Sequence, residues 1–407
     1  YPNCDQFSLM FEEDFARFWD RAKPMARMEF LRAINADWSM IDGSQSKRKV
    51  HVKTDEKFLG VGELRLDQPY SGTAVKLGRI ISAGRPSSNT IIGQPIGDRQ
   101  MACEAAINLL IQNDDMESLL KLPFIMTCGM SALNISILVT KIIKFLENSD
   151  TEQTHFTLVA GDDMLIIGSY KHQIYFMHND KTLFDATVTR AALDYEFAVL
   201  NKIYPFTPDE QKTMEELKST RFKGDYTRGS YLGHRNSGSY DTTIGNSILC
   251  GITAEASFDV VFHMGFRPNN ANFWVKWRND QLRFGFINKP VLVFDIAKVN
   301  YLSSRFIPVL DDLEQTAYFL TPLYGKNLPK ICFSQSMPKN WQKLAGDIAY
   351  GTRIAYTGDP YVQNLMDVWA GKVGGYGSEL GYSNWLHRLD GPYIDRMKAL
   401  RPDIQML

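Results

Sequence analysis

From Phe7 to about Ala36, apolar and charged residues recur at helical spacing, as in FEEDFARFWDRA and MARMEFLRAI, which predicts helical structure there. A polar, lysine-rich stretch follows, then a segment rich in Gly, Pro, Ser and Asn (SAGRPSSNTIIGQPIGD) that reads as a loop. Helical periodicity returns from Arg99 to Leu110 and from Ser131 to Leu146. The pattern then changes. HFTLVA and MLIIGSY are short aliphatic and β-branched runs separated by Gly161-Asp162-Asp163, the mark of a β-hairpin with a tight acidic turn. A third strand, QIYFMH, leads into Asn179-Asp180, and Thr187 or Thr189 is placed to cap a helix with Ala192, Phe197, Leu200 and Ile203 on its apolar face. Pro205 and Pro208 close that helix. The polar segment HRNSGSYDTT then precedes an apolar helix from Ile244 to about Ala254, and PVLVFDIA and RFIPVL read as later strands.

Composition narrows the class. The 407 residues suit two or three packed subdomains, and 44% hydrophobic with 22% charged residues describes a folded protein. With 45 basic and 46 acidic side chains, no global field advertises a polyanionic partner, so any such binding comes from local patches. The five cysteines form no CxxC pair, which points to a reducing compartment and away from a disulfide framework or structural zinc. The apolar stretch from Pro123 to Leu146 is broken by Gly129, Asn134, Lys141 and Lys144, so a buried helix is expected and the chain reads as soluble. An opening at Tyr1, with no secretory signal, reads as an excised or processed segment.

Four carboxylates stand out by position. Asp162 and Asp163 sit in the hairpin turn, Asp180 at the end of the adjacent strand, and Asp185 at the mouth of the following helix. If the three strands are neighbours, Asp162 and Asp180 share one sheet edge. Backbone-fixed carboxylates suit Mg²⁺, which takes few protein oxygens and leaves the rest of its shell to water and phosphate. Two such ions can activate a hydroxyl and stabilise a leaving pyrophosphate. Downstream, Ser237-Gly238 feeds a helix bearing Thr242 and Asn246. A hydroxyl from Ser237, an amide from Asn246 and a carboxylate from Asp185 can form a polar network around a ribose 2′-OH, the group that separates RNA from DNA precursors.

These residues resemble the viral RNA-dependent RNA polymerases. Asp180–Asp185 is similar to palm motif A, Ser237–Asn246 to motif B and Gly161–Asp163 to motif C. The runs DKTLFDATVTRAALDYEFAVLNKIY and RNSGSYDTTIGNSILCG resemble the tombusvirus- and nodavirus-like branch. The GDD triplet precedes motif A, as in the permuted C-A-B palm of permutotetraviruses. Because motifs A and C lie on neighbouring strands, reconnecting their ends can leave the site geometry intact. Weaker likenesses place motif D at Phe262–Phe266 and motif E at Asn300–Phe306.

The resemblance implies an α+β right-hand fold with an antiparallel palm sheet flanked by helices. Fingers would occupy residues 1–150, palm 151–309 and thumb 310–407. It implies RNA-directed RNA synthesis on a viral template in the host cytoplasm, with a membrane-associated replication complex as one setting. Asp162 and Asp180 would hold two Mg²⁺ (Mn²⁺ as substitute), supported by Asp163. Asp185, Ser237, Gly238, Thr242 and Asn246 would receive the ribose, and Arg79, Lys76 and Lys53 the triphosphate. Arg267 and Lys276 are the nearest candidates for a motif D proton donor. Template RNA, product RNA and nucleoside triphosphates are the expected partners. An inactive RNA-binding scaffold and a reverse transcriptase are the alternatives.

Overall fold

The computed structural model describes residues 37–39, 47–52, 80–82, 86–182, 184–203, 205–223, 228–235, 239–310, 316–328, 331 and 340–377. In chain order these form β1 (Asp37–Ser39), β2 (Lys47–Val52), β3 (Ile80–Ser82), α1 (Pro86–Gln112), α2 (Met116–Leu120), β4 (Ile125–Met126) and α3 (Ala132–Glu147). The three long strands β5 (Gln153–Ala160), β6 (Asp163–Tyr170) and β7 (Gln173–Thr182) follow, then α4 (Phe184–Thr187), α5 (Arg190–Ile203), α6 (Pro208–Leu217), β8 (Ser219–Lys223) and β9 (Arg228–Leu232). The rest comprises α7 (Thr242–His263), α8 (Ala271–Gln281), β10 (Ile287–Asn288), β11 (Val291–Val293), β12 (Ser304–Leu310), β13 (Thr316–Pro322), α9 (Tyr324–Asn327), α10 (Trp341–Ala355) and α11 (Pro360–Val373). The class is α+β.

The central sheet runs β10-β7-β6-β5-β4, with β11 also paired to β7. Its strands are antiparallel except for the parallel β4–β5 pair. Met164 to Ile167 on β6 are all fully buried, so both faces of the sheet are covered; this is why that strand is apolar without alternation. Helices α3 and α7 supply much of the cover. Ser131 caps α3 by accepting from Asn134 N at 3.1 Å. Ser136 and Thr140 on α3 accept from the main-chain N–H groups of Leu320 and Tyr318, joining the β12–β13 hairpin to the same core. That core is continuous across residue 150, since Ile125, Leu138 and Ile142 pack with Leu158, Leu165 and Ile166. A smaller cluster, with Ala349, Tyr356, Val362 and Met366, lies between α10 and α11. No helix among the described residues is long and apolar enough to cross a membrane.

Two expectations need correction. The Gly/Pro-rich segment from Ser82 to Asp98 is helical from Pro86 onward. Pro86 has no N–H to leave unsatisfied at the helix start, and Pro95, inside the helix, is offset by tertiary contacts. Arg99 donates to Pro95 O at 2.6 Å and to Leu200 O at 3.1 Å while lying over the Phe206 ring. α5 ends at Ile203, ahead of Pro205 and Pro208, but the connection that follows is helical in its turn: Pro208 opens α6, because Thr207 and Glu210 form a reciprocal capping box around it.

Candidate active site

The site begins with a two-residue turn. Ala160 pairs with Asp163, leaving Gly161 and Asp162 at the tip between β5 and β6. Gly161 has φ +68°, a conformation that a side chain resists, and Asp162 does not share it; this is the pattern of a type II′ hairpin turn. The turn is also tied to α7, where Ser247 Oγ accepts from Gly161 N at 2.8 Å.

Across the next ladder, Asp163 is the direct partner of Asp180. Opposed residues of an antiparallel pair share a face with Cβ atoms about 4.5–5.5 Å apart. Asp162 in the turn, Asp163 at the head of β6 and Asp180 near the end of β7 therefore occupy one edge of the sheet. All three have solvent-accessible surface. Like charges set opposite one another disfavour pairing, so this edge is built against its own stability. Carboxylate oxygens partly open to solvent are the donor type that Mg²⁺ takes, in a shell completed by water and phosphate. Among the described residues no group of three or more His, Cys, Asp or Glu side chains stands close enough together to hold a metal ion.

Behind the edge lies a buried cation. Alternation along β7 sends Lys181 to the face opposite Asp180. Its ammonium donates to Gln281 Oε1 at 3.1 Å and lies 4.4 Å from the centre of the Phe286 ring. Burial lowers its pKa, opposed by the nearby Cys250 and Asp162 side chains. The buried Cys250 thiol is pushed up to about 11, chiefly by desolvation.

The second constellation surrounds Asp185, in the first turn of α4. Asn246 Nδ2, on α7, donates to Asp185 Oδ1 at 2.9 Å. Asn246 Oδ1 in turn accepts from Arg235 Nε at 3.0 Å. Both Arg235 Nη atoms reach the Glu196 carboxylate, and Nη1 also reaches Asp241. The side chains of Arg235, Glu196 and Asp241 are 1%, 0% and 4% exposed, so this is a buried charge cluster with two acids on one guanidinium. Desolvation pushes the Glu196 carboxyl up to about 7, against the pull of Arg235. Thr242 opens α7, its N–H donating to Ser239 O at 3.2 Å.

Ser237 and Gly238 lie outside the described residues, as do Lys53, Lys76 and Arg79. The suggested motif D donors are displaced from the acidic edge. Arg267 donates to the Tyr170 hydroxyl at 3.1 Å, at the other end of an eight-residue strand from Asp163. At about 3.3 Å per residue, that is roughly 23 Å away. Lys276 lies over the Phe266 ring, in the same remote region. The strand register brings an exposed lysine, Lys289, to this edge. β10 pairs Asn288 with Lys181, and β11 pairs Val291 with His178. Both pairings follow one register, which sets Lys289 opposite Asp180. Its main-chain N–H donates to Asn179 Oδ1 at 2.8 Å, and its side chain is exposed. Sequence reasoning missed Lys289 because β10 and β11 are too short to announce a register, and it missed Arg235 and Glu196 because a buried ion pair has no spacing rule. In the motif E region, Tyr301 is fully buried with its hydroxyl on Thr127 Oγ1. Arg305 reaches Asp359, the residue capping α11. No known family profile and no curated protein matches this chain.

Proposed function

We propose that the chain is a template-directed RNA polymerase with a right-hand fold and a permuted palm, acting on RNA and nucleoside triphosphates. One observation carries this proposal: β7 and the turn that follows it bear both Asp180, facing Asp163 across the ladder, and Asp185, bonded to Asn246. The two constellations sought for metal-assisted nucleotidyl transfer and for ribose selection thus lie five positions apart on one strand-to-helix crossing.

Asp180 and Asp162, with Asp163, would hold two Mg²⁺, or Mn²⁺ in their place, supplying charge neutralisation for a growing 3′ end and a leaving pyrophosphate. The remaining work falls to the protein. Asp185 and Asn246, joined by Ser237, Gly238 and Thr242, receive the sugar. Lys53, Lys76 and Arg79 pair with the triphosphate; the planar arginine fork suits phosphate oxygens. Lys289 replaces Arg267 and Lys276 as the cation that protonates the pyrophosphate, because its register sets it beside the acidic edge.

Template-directed incorporation of labelled NTPs with Mg²⁺ or Mn²⁺ tests the assignment. The wild type should extend an RNA 3′ end, and Asp162→Ala or Asp180→Ala should abolish extension while melting as a folded protein. Full activity in either variant refutes the metal assignment. RNA binding without incorporation identifies a scaffold, and equal use of dNTPs identifies a reverse transcriptase.

A further inference from the structure

An asparagine carboxamide has nearly the same shape in its two flipped orientations, and only its partners distinguish oxygen from nitrogen. At Asn246 the distinction is made by Arg235. Its Nε can only donate, and it meets Asn246 Oδ1 at 3.0 Å, which turns Nδ2 toward Asp185 Oδ1 at 2.9 Å. The flipped amide would set NH₂ against guanidinium N–H and carbonyl against carboxylate. Arg235 is itself fixed from two elements, by Glu196 on α5 and by Asp241 ahead of α7. Its main-chain N–H also donates to Asp185 O at 2.8 Å. One residue therefore holds the backbone of Asp185 directly and its carboxylate through Asn246.

We propose that Arg235 is a positioning residue for sugar choice: held by Glu196 and Asp241, it fixes the Asn246 amide on Asp185 and so sets the discrimination between ribo- and deoxyribonucleotides. The inference rests on the polymerase function proposed above. It adds to that function a buried charge cluster that touches neither substrate nor metal. A lysine keeps the positive charge for Glu196 and Asp241 but loses the planar fork that serves three acceptors at once.

The test measures kcat/KM for matched NTP and dNTP on one RNA template, with the wild type, Arg235→Lys and Glu196→Gln. Arg235→Lys should lower the NTP/dNTP ratio about tenfold, the scale of one charge-assisted hydrogen bond, chiefly through a raised KM for NTP. Glu196→Gln, which replaces one of the two Glu196 oxygens on the guanidinium by an amide NH₂ and leaves Asp241 in place, should shift the ratio in the same direction by less. Adding Arg235→Lys to Asn246→Ala should change the ratio no further, because the arginine acts through that amide. A merely structural role would depress NTP and dNTP incorporation in step; an unchanged ratio in folded, active variants overturns the proposal. If Arg235→Lys fails to give a folded protein by melting, the ratio in Glu196→Gln decides. A wild type that incorporates NTPs selectively while both variants keep its ratio defeats only this inference. A wild type that incorporates nothing defeats the polymerase assignment and this inference with it.

Discussion

Gly245 lies in the second turn of α7, where an added Cβ would press on the Glu196 carboxylate and stand 2.6 Å from Arg235 Nη2. Two opposing terms decide what Gly245→Ala does. Alanine is favoured over glycine inside a helix by about 1 kcal/mol. Against this, the methyl must displace a side chain held from two directions. Glu196 gives both oxygens to Arg235 and is fully buried, so it has neither slack nor solvent to move into. Disrupting a buried ion pair costs about 3–5 kcal/mol. The net expectation is destabilisation by about 2–4 kcal/mol. Gly371→Ala on α11 is the internal control, since nothing lies within 4 Å of its added Cβ and only the propensity gain applies. Equilibrium urea unfolding of both variants, read by midpoint at constant slope, makes the comparison. Gly371→Ala should sit at or above the wild-type midpoint and Gly245→Ala well below it. A Gly245→Ala midpoint equal to the wild type would refute the argument that the charge cluster is rigid.

The same reasoning yields further expectations. Asp163→Asn, by removing one of two opposed charges, should stabilise the metal-free protein by up to about 1 kcal/mol and shrink the rise in Tm on adding Mg²⁺; an unchanged Mg²⁺ response would count against the acidic edge as a cation site. Lys289→Leu should lower kcat about a hundredfold, the scale of general acid catalysis, while Arg267→Leu stays within about threefold of wild type; the reverse ranking would restore the earlier candidate. The Glu196 carboxyl is raised from 4.5 to about 7 on folding, so its stabilising effect is complete below pH 4.5 and is lost as pH rises through 7. Wild-type unfolding free energy should therefore fall relative to Glu196→Gln as pH rises across that window, and parallel pH profiles would contradict it. Lys171 and His172, at the β6–β7 turn, both adopt positive φ (48° and 63°), so Lys171→Asn with His172→Gly should raise Tm.

What the sequence disclosed follows from how locally each feature is encoded. The β5–β6–β7 meander was legible because each strand carries its own apolar run and each turn its own chemistry, and the carboxylates lay at their ends. The length of α1 was hidden because two prolines and two glycines within it signal a loop, and only contacts such as Arg99 with Leu200 override that signal. Residue type pointed to Asn246 and Asp185 as members of one polar network, and not to the arginine behind them. Arg235 stands in a polar run that looks like solvated loop, and its acid partner Glu196 is thirty-nine positions away on a helix of mixed charge. Arg267 was proposed by proximity in sequence to a weak motif, and strand length separates it from the acids it was meant to serve.

The order of the strands has a consequence for assembly. Asp163 and Asp180 meet across a ladder closed by the two-residue turn Lys171-His172, and Asp162 belongs to the hairpin just before it. Both closures span few residues and so cost little chain entropy. The acidic edge can therefore zip together early in folding, ahead of the distant helices that cover it. A slip of one position would set each buried side chain of β6 and β7 in a packing place shaped for its neighbour and take Asp163 out of register with Asp180. Spacing between the acids is thereby guarded by the same side chains that make the core, and insertions elsewhere in the chain leave it untouched.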